Sequence, residues 1–312
     1  MAMEKIEFQR EFEGQKVVDL LSSRFPLYSV HTLRQFIQGG AVWLDNKRCY
    51  PPDPLPPKGV LEIRTSLPFQ DYQPYQLPSL EILFEDSEII VLSKPAGVSS
   101  VPGRSGEANL VEALLYHFQG KIRPYIVHRL DKETSGVMVV AKSQLASRIL
   151  SQAFYERKIE KEYRGFVQGI PFPEKGVIHK PLSHGKGRKK EGITEYEVLE
   201  KYGLYSLLAL WPRTGRMHQI RIHLASIGHP LLVDAIYGTR KAFYLSELKR
   251  NFKVKKETPE TPLLSRLSLH SYRLVIHHPL KGEKLSFTAP LPKDLETLQK
   301  KLLKYQDSSR KD

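Results

Sequence analysis

Residues 127–141 read Val127-His128-Arg129-Leu130-Asp131-Lys132-Glu133-Thr134-Ser135-Gly136-Val137-Met138-Val139-Val140-Ala141. A short apolar lead-in enters a polar turn, and the apolar run Gly136–Ala141 reads as a buried strand. Ser143 then opens a helix with Leu145, Ile149, Leu150 and Ala153 as its apolar stripe, and Ile159–Val167 returns as a strand. Thr194–Leu199 and Tyr205–Trp211 follow as strands with no helix between them. Upstream, Glu81–Phe84 and Glu88–Leu92 alternate around Asp86-Ser87 as a hairpin, and Asn109 with Glu112 forms a capping box for a helix through Phe118. Downstream, Arg216–Ile227 reads as a helix with Ile220, Leu224 and Ile227 inward, ended by Gly228. Leu267–Ile276 and Lys284–Thr288 read as strands, and Leu295–Tyr305 as a last helix. Strands outnumber helices and do not alternate with them as βαβ units do. The pattern predicts an α+β fold with a mainly antiparallel sheet and flanking helices.

The first residues have a different texture. Residues 10–66, or 1–66 with their N-terminal flank, read as a small separate α/β module. Lys16–Phe25 suits a helix, and Ser29 caps a second one with Leu33, Phe36 and Ile37 on one face, stopped by Gly39-Gly40. Ala41–Leu44 and Val60–Ile63 read as short strands. Residues 67–78, with Pro68, Pro74 and Pro78, read as an extended linker. The larger domain runs over residues 79–305, and residues 306–312 form a polar tail.

Composition narrows the function. The chain has 312 residues, 40% of them hydrophobic, and a formal charge of +14. Residues 1–78 hold nine basic and nine acidic side chains, so the whole excess lies beyond them. A strongly basic large domain points to a polyanion, nucleic acid or an acidic membrane face. No apolar run reaches the length of a transmembrane helix, and the charged start MAMEKIEFQR lacks the apolar core of a signal peptide. The single cysteine, Cys49, leaves no intramolecular disulfide and too few thiolates for a structural zinc site. These features fit a reducing cytoplasm.

Four segments carry candidate chemistry. Asp131 sits beside Arg129 on the polar turn, where an opposite charge favours the ionised carboxylate. Such an Asp is either a covalent nucleophile toward an anomeric carbon or a turn-capping residue with a surface ion pair. Arg216, His218 and Arg221 enter a helix from a strand end, with His218 and Arg221 three apart on one face. They suit an RNA phosphate at a helix N-terminus, or Arg221 pairs with a carboxylate from elsewhere. His218 and His223 are five apart and do not match the helix-borne zinc pair. Tyr163, in Lys161-Glu162-Tyr163-Arg164, either stacks on an unpaired base or packs in its sheet. Lys186, Arg188, Lys189 and Lys190, among Gly185 and Gly187, make a cationic loop that either meets phosphate or stays solvated.

Together these segments resemble the RluA family of pseudouridine synthases. HRLDKETSG followed by VMVVAKS matches the family's central H-R-L-D-x-x-T-S-G motif. KEYRGFVQG, EGITEYEVL, TGRMHQIRIHLASIGHPLLVDAIYG and SRLSLHSYRLVIHHP follow in the family's order, and LPKDLETL resembles its closing helix. The resemblance spans roughly residues 79–297. It implies that Asp131 is the catalytic aspartate and that Arg129 helps to displace the target nucleotide from its stack. It implies further that Tyr163 packs against the target base, that Arg221 pairs with the catalytic carboxylate, and that no metal or organic cofactor is needed. Val233 stands where the family usually has glycine, ahead of Asp234. The stretch TLRQFIQGGAVWLDNKRCYPPDPL resembles the small RNA-binding module of a ribosomal small-subunit protein. It departs from that module in its neutral charge and in reading Gly14-Gln15-Lys16-Val17-Val18-Asp19 where the module opens with a basic residue near its first helix, though Arg34, Lys47 and Arg48 can form a local patch.

The expected activity is therefore isomerisation of chosen uridines in structured RNA by a monomer. Ribosomal RNA of the large subunit is the first expectation and transfer RNA the second. Two rivals remain on the residues alone. A non-catalytic RNA-binding protein on this fold would have no need of Asp131. A glycosidase would use Asp131 with Glu133, but its cationic surroundings suit RNA better than a neutral glycan.

Overall fold

The computed structural model describes residues 4–66, 71–78, 80–102, 107–183, 189–249, 252 and 259–306. Lys186 and Arg188 of the cationic loop, and residues 307–312 of the tail, lie outside them.

Residues 4–63 build their own core. β1 (Glu4–Phe8), α1 (Val17–Arg24), α2 (Val30–Gln38), β2 (Val42–Leu44), β3 (Lys47–Arg48) and β4 (Gly59–Ile63) form a four-stranded sheet, ordered β1-β4-β2-β3, with two helices on it. Ser29 caps α2 by accepting the Thr32 N–H at 3.0 Å, as its position predicts. Leu20, Leu21, Leu33, Ile37 and Leu61 are fully buried in this cluster, and each such side chain contributes about 1.5–3 kcal/mol. β1 was not legible, because EKIEF alternates too briefly to stand out; its pairing with β4 supplies the signal.

The second sheet carries the site. It is formed by β5 (Glu81–Glu85), β6 (Ile89–Lys94), β7 (Tyr125–Ile126), β8 (Ser135–Ala141), β9 (Glu160–Gln168), β10 (Lys175–His179), β11 (Ile193–Tyr202), β12 (Tyr205–Pro212), β13 (Leu269–His277) and β14 (Lys284–Thr288). Its main order is β10-β11-β12-β9-β13-β8-β6-β5, with β14 on β13 and β7 on β8. Among the described strands only β8 and β13 run parallel; every other pair is antiparallel. The helices are α3 (Leu110–His117), α4 (Gln144–Tyr155), α5 (Gln219–Ser226) and α6 (Lys293–Tyr305). This is the α+β, mainly antiparallel fold that the strand pattern predicts. Among the described residues no helix is long and apolar enough to cross a membrane.

Two helices differ from expectation. In α4, Ala146 and Leu150 face the core, while Leu145 and Ile149 are exposed. Only a short stripe is needed, because β8 beneath it supplies its own fully apolar face. In α5 the helix begins at Gln219 rather than Arg216, and Ile227 is exposed. The buried Gln219 amide holds the preceding turn: its Oε1 accepts the Arg216 N–H and the Thr214 hydroxyl, and its Nε2 donates to Ile193 O. His218 is left at φ 53°, left-handed, so it precedes the helix and does not share a face with Arg221.

The parallel contact positions the HRLD turn. Ser271 of β13 pairs with Gly136 of β8, and a Cβ on Gly136 would lie 2.1 Å from Ser271 O. Gly136 also has φ 113°, so glycine is required on both counts. The segment at residues 71–78 is extended, yet it is held at both ends of its span. Asp71 accepts from Ser29 N–H and the Thr32 hydroxyl, Tyr72 N–H donates to Leu27 O, and Tyr75 N–H donates to Glu112 O.

Candidate active site

The turn at 128–134 is fastened from beneath. The His128 ring stacks on Phe154 at 4.5 Å, and its Nε2 accepts the Val139 N–H at 3.1 Å, which places any ring proton on Nδ1. Burial pushes its pKa down to about 3, so the ring stays neutral. Leu130 is buried, and its backbone N–H and C=O both bond the Ser100 hydroxyl, at 3.2 and 2.9 Å. Lys94, fully buried at the end of β6, directs its ammonium at three carbonyls: Pro95 and Val98 at 2.8 Å and Lys132 at 3.1 Å. Burial draws its pKa down to about 7, against the pull of the Glu133 and Asp131 charges. Asp131 is thus presented by a loop that these side chains and β8 hold in place.

Above it lies a cleft of about 1480 Å³. Asp131, Arg129, Tyr163, Arg216, His218 and Arg221 all line it. Arg221 Nη1 donates to Asp131 Oδ2 at 3.1 Å, and His218 Nε2 is 3.8 Å from Asp131 Oδ1. The other side of the Arg221 guanidinium is clamped by Asp234, Nε to Oδ2 at 2.7 Å and Nη2 to Oδ1 at 2.8 Å. Burial opposes charge on Arg221, but the bonds to Asp234 and then Asp131 outweigh it and leave its pKa raised. Burial likewise opposes charge on Asp234, and the Arg221 bonds with the Tyr237 and Ile236 N–H groups hold its pKa below the usual carboxylate range. Tyr237 closes this group, its ring 5.1 Å from the guanidinium and its hydroxyl 3.1 Å from His218 Nδ1.

The predicted residues separate by position. Asp131, Arg221 and His218 come together, and Tyr163 lines the same cleft with its hydroxyl pushed by burial to about 12. Arg129 is exposed at the rim with no ion pair among the described residues. Of the phosphate-binding candidates, Arg221 is consumed by two carboxylates and is not free for an anion. Arg216 turns its Nε to Glu191 O at 3.1 Å, and Lys189 and Lys190 are exposed beyond it. Glu133 also lines the cleft. Sequence reasoning missed the roles open to Asp234, Tyr237 and Lys94. The only available signal was that Arg221 in a helix needs a carboxylate, and nothing in spacing identifies one 13 residues on.

Comparison with known proteins gives these residues a family. The RNA pseudouridylate synthase family matches residues 88–226. An Aquifex aeolicus protein described as an uncharacterized RNA pseudouridine synthase is 36% identical, over 95% of this chain and 96% of its own length. The ribosomal large subunit pseudouridine synthase D of Buchnera aphidicola is 34% identical, over 93% of this chain and 95% of its own. The protein of that name from Haemophilus influenzae is also 34% identical, over 96% of each. Among solved structures, human RNA pseudouridylate synthase domain containing 4 superposes with a TM-score of 0.56 at 24% identity, covering 71% of this chain and 92% of that one. That likeness supports the fold. The fold, the ordered motifs and the full-length relatives make this chain a member of the RluA family of pseudouridine synthases, which are isomerases.

Proposed function

We propose that the protein isomerises specific uridines of large-subunit ribosomal RNA in the cytoplasm, as a monomer, with Asp131 as the catalytic carboxylate. The observation that carries this reading is the Asp131–Arg221–Asp234 chain at the floor of a cleft that Tyr163 also lines. The names of the relatives favour ribosomal RNA as substrate.

The reaction breaks the N1–C1′ bond of uridine and joins C1′ to C5 of the same base. The C5 hydrogen is lost and N1 gains one, so composition is unchanged and no electrons are exchanged with a cofactor. Reaching C1′ requires the nucleotide to leave its stack, at about a few kcal/mol. Arg129, exposed at the rim, suits the vacated place in the RNA, and Tyr163 offers a face for the extruded base, worth about 1–3 kcal/mol. Arg221 orients the Asp131 carboxylate toward the ribose through a charge-assisted hydrogen bond. Residues 1–66 then act as a guide unit, joined through residues 67–78 to a catalytic unit over 79–305.

Pseudouridine mapping of ribosomal and transfer RNA, from cells with and without the protein, tests the reading. Loss of one or a few large-subunit sites supports it. Identical ribosomal maps refute the substrate assignment, and loss confined to transfer RNA moves it there.

A further inference from the structure

The corner between α4 and β9 holds two cations that the reaction above does not use. Lys161 is the second residue of β9, two before Tyr163 on the same strand face, and both line the cleft. It is half-buried, and it has no carboxylate or hydrogen-bond partner among the described residues. Its ammonium lies over Gly215, where an added Cβ would come within 4.0 Å of it. Burial lowers its pKa, and the nearby Arg157 charge lowers it further. A partly buried ammonium beside a second cation, with no carboxylate of its own, is an arrangement the free protein does not stabilise.

Arg157 adds an independent observation. It follows the last turn of α4 at φ 59°, with its N–H on Phe154 O and the Lys158 N–H on Ala153 O. This is the left-handed helix ending that glycine normally fills. Arginine carries the Cβ that glycine lacks, so this ending is strained, and strain of this kind collects at functional sites. Arg157 lines the cleft, and its one carboxylate contact, Glu191 at 3.6 Å, is loose and half-exposed.

We propose that Lys161 and Arg157 form a subsite for one backbone phosphate of the RNA strand that carries the extruded uridine, a proposal that rests on the RNA reading above. Two residues along β9 separate Lys161 from Tyr163 by about 7 Å. A base against Tyr163 therefore brings a phosphate of the same or the adjoining nucleotide to Lys161. The RNA supplies the missing anion, and a phosphate held here fixes the strand's register and carries no sequence information.

Lys161→Met and Arg157→Gly test the subsite because both relieve the free protein. Each is expected to keep or raise the unfolding temperature while weakening binding to a synthetic RNA stem–loop from large-subunit ribosomal RNA. Lys161→Met is expected to flatten the log–log salt dependence by about 0.7–0.9, one phosphate's worth. A methylphosphonate beside the target uridine is then expected to weaken wild-type binding and to leave Lys161→Met binding unchanged. An unchanged salt slope overturns the proposal. So does a loss of turnover without loss of affinity that persists with every methylphosphonate, which would place Lys161 on the base. Wild-type conversion of the stem–loop is read separately: no conversion with a flattened slope defeats the activity and leaves the subsite standing, whereas conversion with an unaltered slope defeats the subsite alone.

Discussion

Arg221 Nη1 lies 3.1 Å from Asp131 Oδ2, and the same guanidinium is gripped at 2.7 and 2.8 Å by Asp234. The candidate carboxylate is thus aligned by an arginine that cannot turn away from it. Asp234 is 1% exposed and Arg221 5%, so solvent takes little part in that pair.

Asp234→Asn keeps the oxygen that accepts the Ile236 and Tyr237 N–H groups and removes the charge that fixes Arg221. The expected result is a fall in kcat of about tenfold to hundredfold with KM within about threefold, because positioning is lost and RNA contact is not. Single-turnover kinetics checks this. A rise in KM at unchanged kcat would contradict it.

Lys94→Met leaves the carbonyls of Pro95 and Val98 without their buried donor, while Lys132 O keeps the Gly97 N–H at 2.9 Å. At about 1 kcal/mol or more for each unmet group, the variant is expected to lose about 2–4 kcal/mol of stability. Urea unfolding measures the loss. A midpoint equal to wild type would show that the loop beneath Asp131 stands without Lys94.

Desolvation holds the pKa values of His128 and His270 near 3 and 4, against about 6.5 in an unfolded chain. Between these limits the unfolded chain holds protons that the folded one does not. Stability therefore falls as pH drops below 6.5, by up to about 1.4 kcal/mol per pH unit for each ring. The loss between pH 7 and pH 5 is expected to be smaller in His128→Gln than in wild type. Equal losses would remove His128 as a cause.

Arg123 joins the first unit to the rest. Its Nη1 donates to Tyr28 O at 2.5 Å, and its guanidinium lies 5.9 Å from the Tyr72 ring. Arg123→Ala is expected to leave conversion of a short stem–loop intact and to reduce preference among sites in long folded RNA. Unchanged selectivity would defeat the guiding role of residues 1–66. In that unit Arg34, Lys47 and Arg48 are all exposed, and Arg48 bonds Gln38 O at the end of the helix that bears Arg34.

Much of this was legible before any coordinates. The apolar run Gly136–Ala141 is a strand because it is buried on both faces, and the Asn109 capping box stands as read, with Oδ1 bonded to the N–H groups of Val111 and Glu112. The start of α5 was not legible, since periodicity continues through Arg216–His218 and only the Gln219 amide network interrupts it. β7 and β10 escaped for the opposite reason: each is short, and its strand character comes from a neighbour. Within the site, Asp131 and Arg221 were found through motif order. Asp234 and Lys94 were not, because a clamp across the fold leaves no periodic mark in the chain.

The most direct measurement is pseudouridine formation by purified Asp131→Asn on an RNA that the wild-type protein converts. The change keeps the size of the side chain and the bond from Arg221 while removing the carboxylate. The variant is expected to bind the RNA with wild-type affinity and to form no pseudouridine above about a thousandth of the wild-type rate. Conversion by Asp131→Asn within a few-fold of wild type would contradict the assignment of Asp131 as the catalytic group.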